Sequence, residues 1–381
     1  MPEAKVICSG LIDRIGQEGS SIQHKISLMG NEEVKEKHIL ISDHAVGLTE
    51  AARLLTDEII GVIKNPDEIH VVGHRVVHGG ESFSKTMVIT EEVKQKIKKL
   101  FPLAPLHNPP NYLGIEVAEK IFLNAKQVAV FDTAFHQTMP PVAYRYAIPK
   151  SFYDEHQIRA YGFHGTSHKY VSERATEYLQ KKDARIITIH LGNGCSMAAV
   201  KNGECVDTSM GFGPMNGLIM GTRTGDIDQS IIFHLVKLGH SLDEVNTILN
   251  KKSGMLGLTG FSDMRDVKAE GKKGNQEAKL AYEMYAYHIK KYIGAYIAVL
   301  NGLDAIVFTA GVGENDSLTR KLSTKDMEYL GIHLDKEKNE AGGKGIYEIN
   351  TAESSVKILV VPTNEELEIA RQCYALLSLQ P

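Results

Sequence analysis

The stretch RIITIHLGNGCSMAAVKNGECVDT, residues 185–208, divides into three short runs separated by two glycine turns. Residues 185–190 are rich in isoleucine and threonine, and 195–200 form a second apolar run. Between them and the run Glu204-Cys205-Val206 stands Asn202-Gly203, a strong two-residue hairpin signal, because both types tolerate the left-handed backbone of a tight turn. The segment therefore predicts an antiparallel meander of three strands. Its first turn, Leu191-Gly192-Asn193-Gly194, carries glycines that let backbone N–H groups approach a phosphate closely.

Outward from this meander, strands and helices alternate. Residues 68–72, 127–131, 305–308 and 357–361 read as further strands. Thr90 followed by Glu91 and Glu92 predicts an N-cap with an acidic first turn, opening a helix that runs to about Leu100. The stretch 275–301 places Ile289, Ile293, Ile297 and Leu300 at helical spacing, so one face of it is buried. This pattern predicts the α/β class, with sheets covered by helices. A chain of 381 residues exceeds one comfortable core and predicts two domains. No low-complexity linker divides it, which places the boundary at a tight hinge within 132–149.

Composition excludes several classes. A net charge of -4 gives no electrostatic reason for a nucleic-acid partner. No apolar run is long enough to span a bilayer, since even the apolar segment near 289–300 carries Lys290 and Lys291. The start, MPEAKVICSG, has no charged head before a long apolar core and does not read as a signal peptide. Cys8, Cys195, Cys205 and Cys373 are scattered, without a CxxC pair, which predicts reduced thiols in a cytoplasm.

Seven polar clusters sit beside the apolar strands: GHRVVHGG (73–80), FDTAFH (131–136), YGFHGTSH (161–168), HLGNG (190–194), MGTRTGD (220–226), TAGVGEN (309–315) and PTNEE (362–366). Glycines after strands are often only turns, and a single Gly-x-Gly decides nothing. His164 and His168 are four apart, but Gly-Thr-Ser between them lacks the glutamate of a metalloprotease helix. His74, His78 and His136 read as structural hydrogen-bonding partners. Arg75 and Arg223, flanked by Val-Val and by Gly-Thr/Thr-Gly, read as held guanidinium groups rather than solvated charges. Asp132 follows Val-Ala-Val-Phe at a strand's carboxyl end, where α/β sheets place ligands. Two arginines, a strand-end aspartate, a late glutamate and several glycine turns are the parts that phosphoryl transfer requires. There is no G-x-x-x-x-G-K-[ST], which excludes a P-loop enzyme, and no G-x-G-x-x-G after an early strand, which speaks against a Rossmann dehydrogenase.

At these residues the sequence resembles the acetate kinases, of the acetate and sugar kinase, heat-shock chaperone and actin superfamily. GHRVVHGG, LAPLHNPPN, VFDTAFHQTMP, YGFHGTSHKYV, HLGNG, GLIMGTRTGDID, FTAGVGEN and PTNEE carry the resemblance from about Gly10 to the C-terminus. It implies two actin-like, ribonuclease H-like domains with βββαβαβα cores flanking a nucleotide cleft. Residues 1–134 with 366–381 would form the first, and 135–365 the second, which binds nucleotide and dimerises. The implied reaction moves the γ-phosphoryl group of ATP to acetate, with propionate or butyrate as the alternative acceptor or a nucleotide-binding relative of little activity as a further alternative. By matching motif, Arg75 and Arg223 would bracket carboxylate and phosphoryl group, and His164 would hydrogen-bond the same oxygens. Asp132 and Glu365 would position Mg2+, with Mn2+ as the alternative ion. Val77, Leu106, Phe163 and Pro214 would line the acetate methyl pocket. His190, Leu191, Gly192, Asn193 and Gly194 would line the phosphates, and Asp263, Met264, Arg265, Gly311, Val312, Gly313, Glu314 and Asn315 the rest of ATP or ADP. Many relatives have phenylalanine where Met264 stands. The implied partner is a second copy, in a homodimer.

One departure stands at the start. The family's opening strand and its Asn-x-Gly-Ser-Ser-Ser-x-Lys loop have no counterpart here, and MPEAKVICSGLIDRIG resembles the family's third strand. Either the sequence begins at a downstream methionine, or the chain is short by two strands.

Overall fold

The computed structural model describes residues 1, 3–28 and 31–378. The chain divides into two compact units: Met1–Ala134 with Glu366–Pro381, and Phe135–Glu365.

The first unit carries two small sheets. Strands β1 (Cys8–Asp13), β2 (Ser21–Leu28) and β3 (Asn31–His38) pair antiparallel. Alternation along β2 buries Ile22, His24 and Ile26 on one face, which explains a strand so rich in polar residues. The second sheet has the order β4-β6-β5, with β4 (Val71–Val76) parallel to β6 (Lys126–Phe131) and β5 (Met87–Val88) antiparallel to it. The strand expected at 68–72 starts later and runs further. Asn65-Pro66-Asp67-Glu68 instead closes a 3-10 turn, in which Asn65 accepts the Asp67 N–H and Glu68 reaches back to the Asn65 N–H. Thr90 caps the helix Glu91–Lys99 as its sequence predicts. The helix Glu365–Ser378 packs Ile369 and Cys373 directly over Gly73 of β4, where any Cβ would come within 3 Å of both side chains.

In the second unit the 185–208 segment folds as the antiparallel strands β7 (Arg185–Leu191), β8 (Cys195–Lys201) and β9 (Glu204–Thr208). Asn202 and Gly203 both lie in the left-handed region, at φ 55° and 80°, as a primed hairpin turn demands. On the other side of β7, β10 (Ala305–Thr309) and β12 (Lys357–Val360) run parallel, and β11 (Tyr347–Glu348) closes the six-stranded order β11-β12-β10-β7-β8-β9. The helix Gln276–Leu300 and the helix Gly165–Leu179 pack against this sheet. Both faces of β7 and β8 are therefore buried, and Thr188 and Ser196 are polar residues with no access to water. Among the described residues, no helix is long and apolar enough to cross a membrane.

Candidate active site

In the first unit the chemistry gathers at the carboxyl ends of two parallel strands. Arg75 stands beside Val130 in the β4–β6 register, and Asp132 follows β6 directly. Nε and Nη2 of Arg75 donate to Oδ2 of Asp132 at 2.9 and 2.5 Å. The carboxylate is fully buried while the Arg75 side chain is 44% exposed, so a charge without water anchors a charge that faces it. The loop after β4 is fixed through its amides. Asn111 accepts from the Val77 N–H, Asn108 from His78 and Thr133 from Gly79. These three side chains, two of them in the HNPPN run, position the arginine strand, a role that the sequence reading did not assign to them although it quoted both of their motifs. Val77 is buried, and Leu106 is 63% exposed.

In the second unit the elements converge on Gly194. His164 adopts a left-handed backbone (φ 56°) just before the helix Gly165–Leu179, an uncommon conformation for a residue with a Cβ. Its ring stacks on that of His190, with centroids 4.3 Å apart. His190 is held in turn by Ser167, whose hydroxyl lies 2.8 Å from Nδ1 and 2.9 Å from the Thr363 hydroxyl. Arg223 sits on a loop pinned by its backbone to Met220 and to the segment 249–255. Its Nη1 donates to the Pro214 carbonyl at 2.9 Å, and no carboxylate among the described residues pairs with it. Burial lowers its pKa from the ordinary value, the mark of a cation that has lost water without gaining an anion. A Cβ at Gly194 would lie 3.4 Å from Nε2 of His164 and 3.7 Å from Nη1 of Arg223. Two donors thus face one small space above a glycine turn, which suits the oxygens of an anion.

Next to this corner opens a cavity of about 730 Å³. Gly192, Asn193, Asp263, Met264, Arg265, Gly311, Val312 and Asn315 line it, together with Met255, Ser262, Lys268 and Tyr285, which the sequence did not single out. The remaining residues of that set serve differently. The Leu191 side chain is in the sheet core. Glu314 accepts the Thr363 N–H, and the carbonyls of Gly313 and Glu314 each accept from Nη1 of Arg320 at 2.9 Å. Arg320 is 2% exposed and also donates to the Asn339 side chain and carbonyl. It therefore clamps the TAGVGEN turn from behind. Arg320→Met would leave four buried acceptors without their donor. Denaturant unfolding should show a loss of about 3 kcal/mol, with weaker nucleotide binding.

Three other histidines make hydrogen bonds: His74 to Gln127, His78 through Nδ1 to the Gly80 N–H, and His136 to the Phe163 carbonyl. Among the described residues no group of three or more His, Cys, Asp or Glu could hold a metal ion. Asp132, already balanced by a guanidinium, and Glu365, at the start of a helix, are hard oxygen donors.

Comparison with known proteins agrees with this geometry. A model of the acetokinase family matches residues 1–371. The acetate kinase of Flavobacterium johnsoniae is 61% identical over 378 residues, which cover 99% of this chain and 95% of that protein. The crystal structure of Porphyromonas gingivalis acetate kinase superposes with a TM-score of 0.91 at 45% identity, covering 99% of this chain and 95% of the other. A propionate kinase from Francisella tularensis gives 0.90 at 42% identity, over 97% and 92%. With a family model matched along 371 residues and a relative 61% identical over nearly the whole length, the chain belongs to the acetokinase family.

Proposed function

We propose that the protein catalyses reversible transfer of the γ-phosphoryl group of ATP to acetate, giving acetyl phosphate and ADP. The observation that carries this reading is the half-buried Arg223 guanidinium, which pairs with no carboxylate among the described residues and shares with His164 the space above Gly194 beside the large cavity. In the reaction an acetate oxygen attacks phosphorus, the P–O bond to the β-phosphate breaks, and its electron pair leaves on ADP. Both reactants are anions, so the protein's main task is to offset their repulsion. Arg75, oriented by Asp132, takes the carboxylate, while Arg223 and His164 take the equatorial oxygens of the phosphoryl group. Asp132 and Glu365 would hold magnesium, which neutralises phosphate charge when bound. The test is to trap product as hydroxamate. Hydroxamate that requires both ATP and acetate supports the proposal, and nucleotide binding without it overturns the proposal.

Propionate is the second reading, because a propionate kinase is among the similar structures. An apolar pocket discriminates one methylene by only about 1–3 kcal/mol. Val77→Ala should lower the KM for propionate relative to acetate, and an unchanged ratio would place the methyl pocket elsewhere. A homodimer through the second unit is supported by the helix Ser230–Lys237, which buries no residue and leaves Ile231, Phe233 and Val236 exposed. Four free cysteines support a reducing, cytoplasmic setting.

A further inference from the structure

His164 is held at its inner nitrogen by a chain of buried groups. Its Nδ1 lies 2.8 Å from Oγ of Ser196. The same oxygen lies 2.7 Å from Nε2 of His168, whose Nδ1 lies 2.7 Å from Oγ1 of Thr188. Ser196, His168 and Thr188 are each fully buried. Burial, and then the neighbouring His136 and His190, drive the pKa of His168 well below its ordinary value, so it is neutral and carries one ring proton. A neutral imidazole between two hydroxyls donates to one and accepts from the other, and each hydroxyl has a single proton. The chain can therefore run in two directions. In one, Thr188 donates to His168, His168 to Ser196 and Ser196 to Nδ1 of His164, which leaves the His164 proton on Nε2. In the other every bond reverses, and that proton sits on Nδ1.

One observation selects the first direction. Thr188 itself does not decide, since its 2.7 Å contact with Nδ1 of His168 is a hydrogen bond in either direction and the Ala198 carbonyl at 3.4 Å takes its proton in the reversed one. Arg223 decides, because its Nη1 approaches the same Gly194 position as Nε2 of His164. With its proton fixed on Nδ1, His164 could donate from Nε2 only as a second cation beside the first, while its other face stacks on His190. The first direction provides a donor without that repulsion.

We propose that Ser196 and His168, with Thr188 at the head of the chain, are positioning residues that fix His164 in the tautomer with its proton on Nε2, so that a neutral imidazole donates to the transferring phosphoryl group. This rests on the role given to His164 above. It also accounts for two hydroxyls without access to water in β7 and β8, since replacing either by a methyl would cut the chain.

Nitrogen-15 NMR of the ring nitrogens in the whole protein at neutral pH tests it, with the His164 signals identified by their loss in His164→Ala. We expect the shift of a protonated nitrogen at Nε2 and of an unprotonated one at Nδ1. In Ser196→Ala both should move toward a mixture of tautomers. The same variant should lose about tenfold in kcat at unchanged nucleotide KM, and Ser196→Thr should restore part of it. A proton on Nδ1 in the parent protein overturns the proposal, as do His164 shifts that Ser196→Ala leaves unchanged. Should Ser196→Ala not fold, the parent spectrum alone decides the direction. Normal turnover in His164→Ala would instead sink the functional role of His164 and leave the tautomer assignment standing.

Discussion

Gly194→Ala is expected to fold normally and to lose turnover by about 100- to 1,000-fold, the scale of removing a strong transition-state donor. Most glycine replacements fail through backbone strain or collision, and neither applies here. Gly194 is not among the positive-φ residues, and the new Cβ would meet its neighbours at 3.4 Å or more, ordinary van der Waals contact. The neighbours are the point: they are Cε1 and Nε2 of His164 and Nη1 of Arg223. Phosphoryl oxygens must come within about 2.7–3.1 Å of such donors to be stabilised, and a methyl group would stand in that space. Thermal unfolding within a degree or two of the parent, together with a collapse of kcat, is the expected pair of results. Near-normal turnover would show that the anion sits elsewhere.

Arg223→Lys should reduce kcat by about a thousandfold with the fold intact. One edge of the guanidinium already donates to the Pro214 carbonyl, so its use at the site depends on a planar group that can serve two acceptors in fixed directions. An ammonium keeps the charge and loses the fork. Arg75→Lys should fail for a related reason, since Nε and Nη2 share a single oxygen of Asp132 and a lysine cannot reproduce that grip. Steady-state kinetics with acetate and ATP varied separately checks both. If Arg223→Lys turns over normally, the residue is structural.

The meander at 185–208 could be read from the sequence because its determinants are local: β-branched runs and an Asn-Gly turn. The Thr90 cap and the helix Gln276–Leu300 were legible for the same reason. The start of β4 was misplaced because Glu68, beside apolar residues, is claimed by the backbone of Asn65 and Lys64. The Asn-Pro-Asp-Glu run held that signal. The strands β2 and β3 escaped notice because charged side chains fill their exposed positions. Arg75, Asp132, His164 and Arg223 stood out as costly residues between glycines and apolar runs. Their supports did not. Asn108 and Asn111 act on a loop about 30 residues away, Arg320 on carbonyls that no side-chain pattern marks, and Thr188 and Ser196 through a histidine on another element. A polar residue in the middle of RIITIH or CSMAAV is a faint sign of such a role. Its partner becomes visible only once the chain is folded.

The helix Glu365–Ser378 has a bearing on how the protein is made. Its Ile369, Cys373 and Leu376 pack with Val71, Val88, Val128 and Val130 of the first unit, whose other residues all precede position 135. On a ribosome adding about 5–20 residues per second, the second unit takes on the order of 10–50 s to emerge before that cover arrives. Through that interval the valine face of the nascent first unit has nothing of its own to close it. The unit that is first in the sequence is thus the last to be finished, and the growing chain offers chaperones an apolar sheet for most of its synthesis.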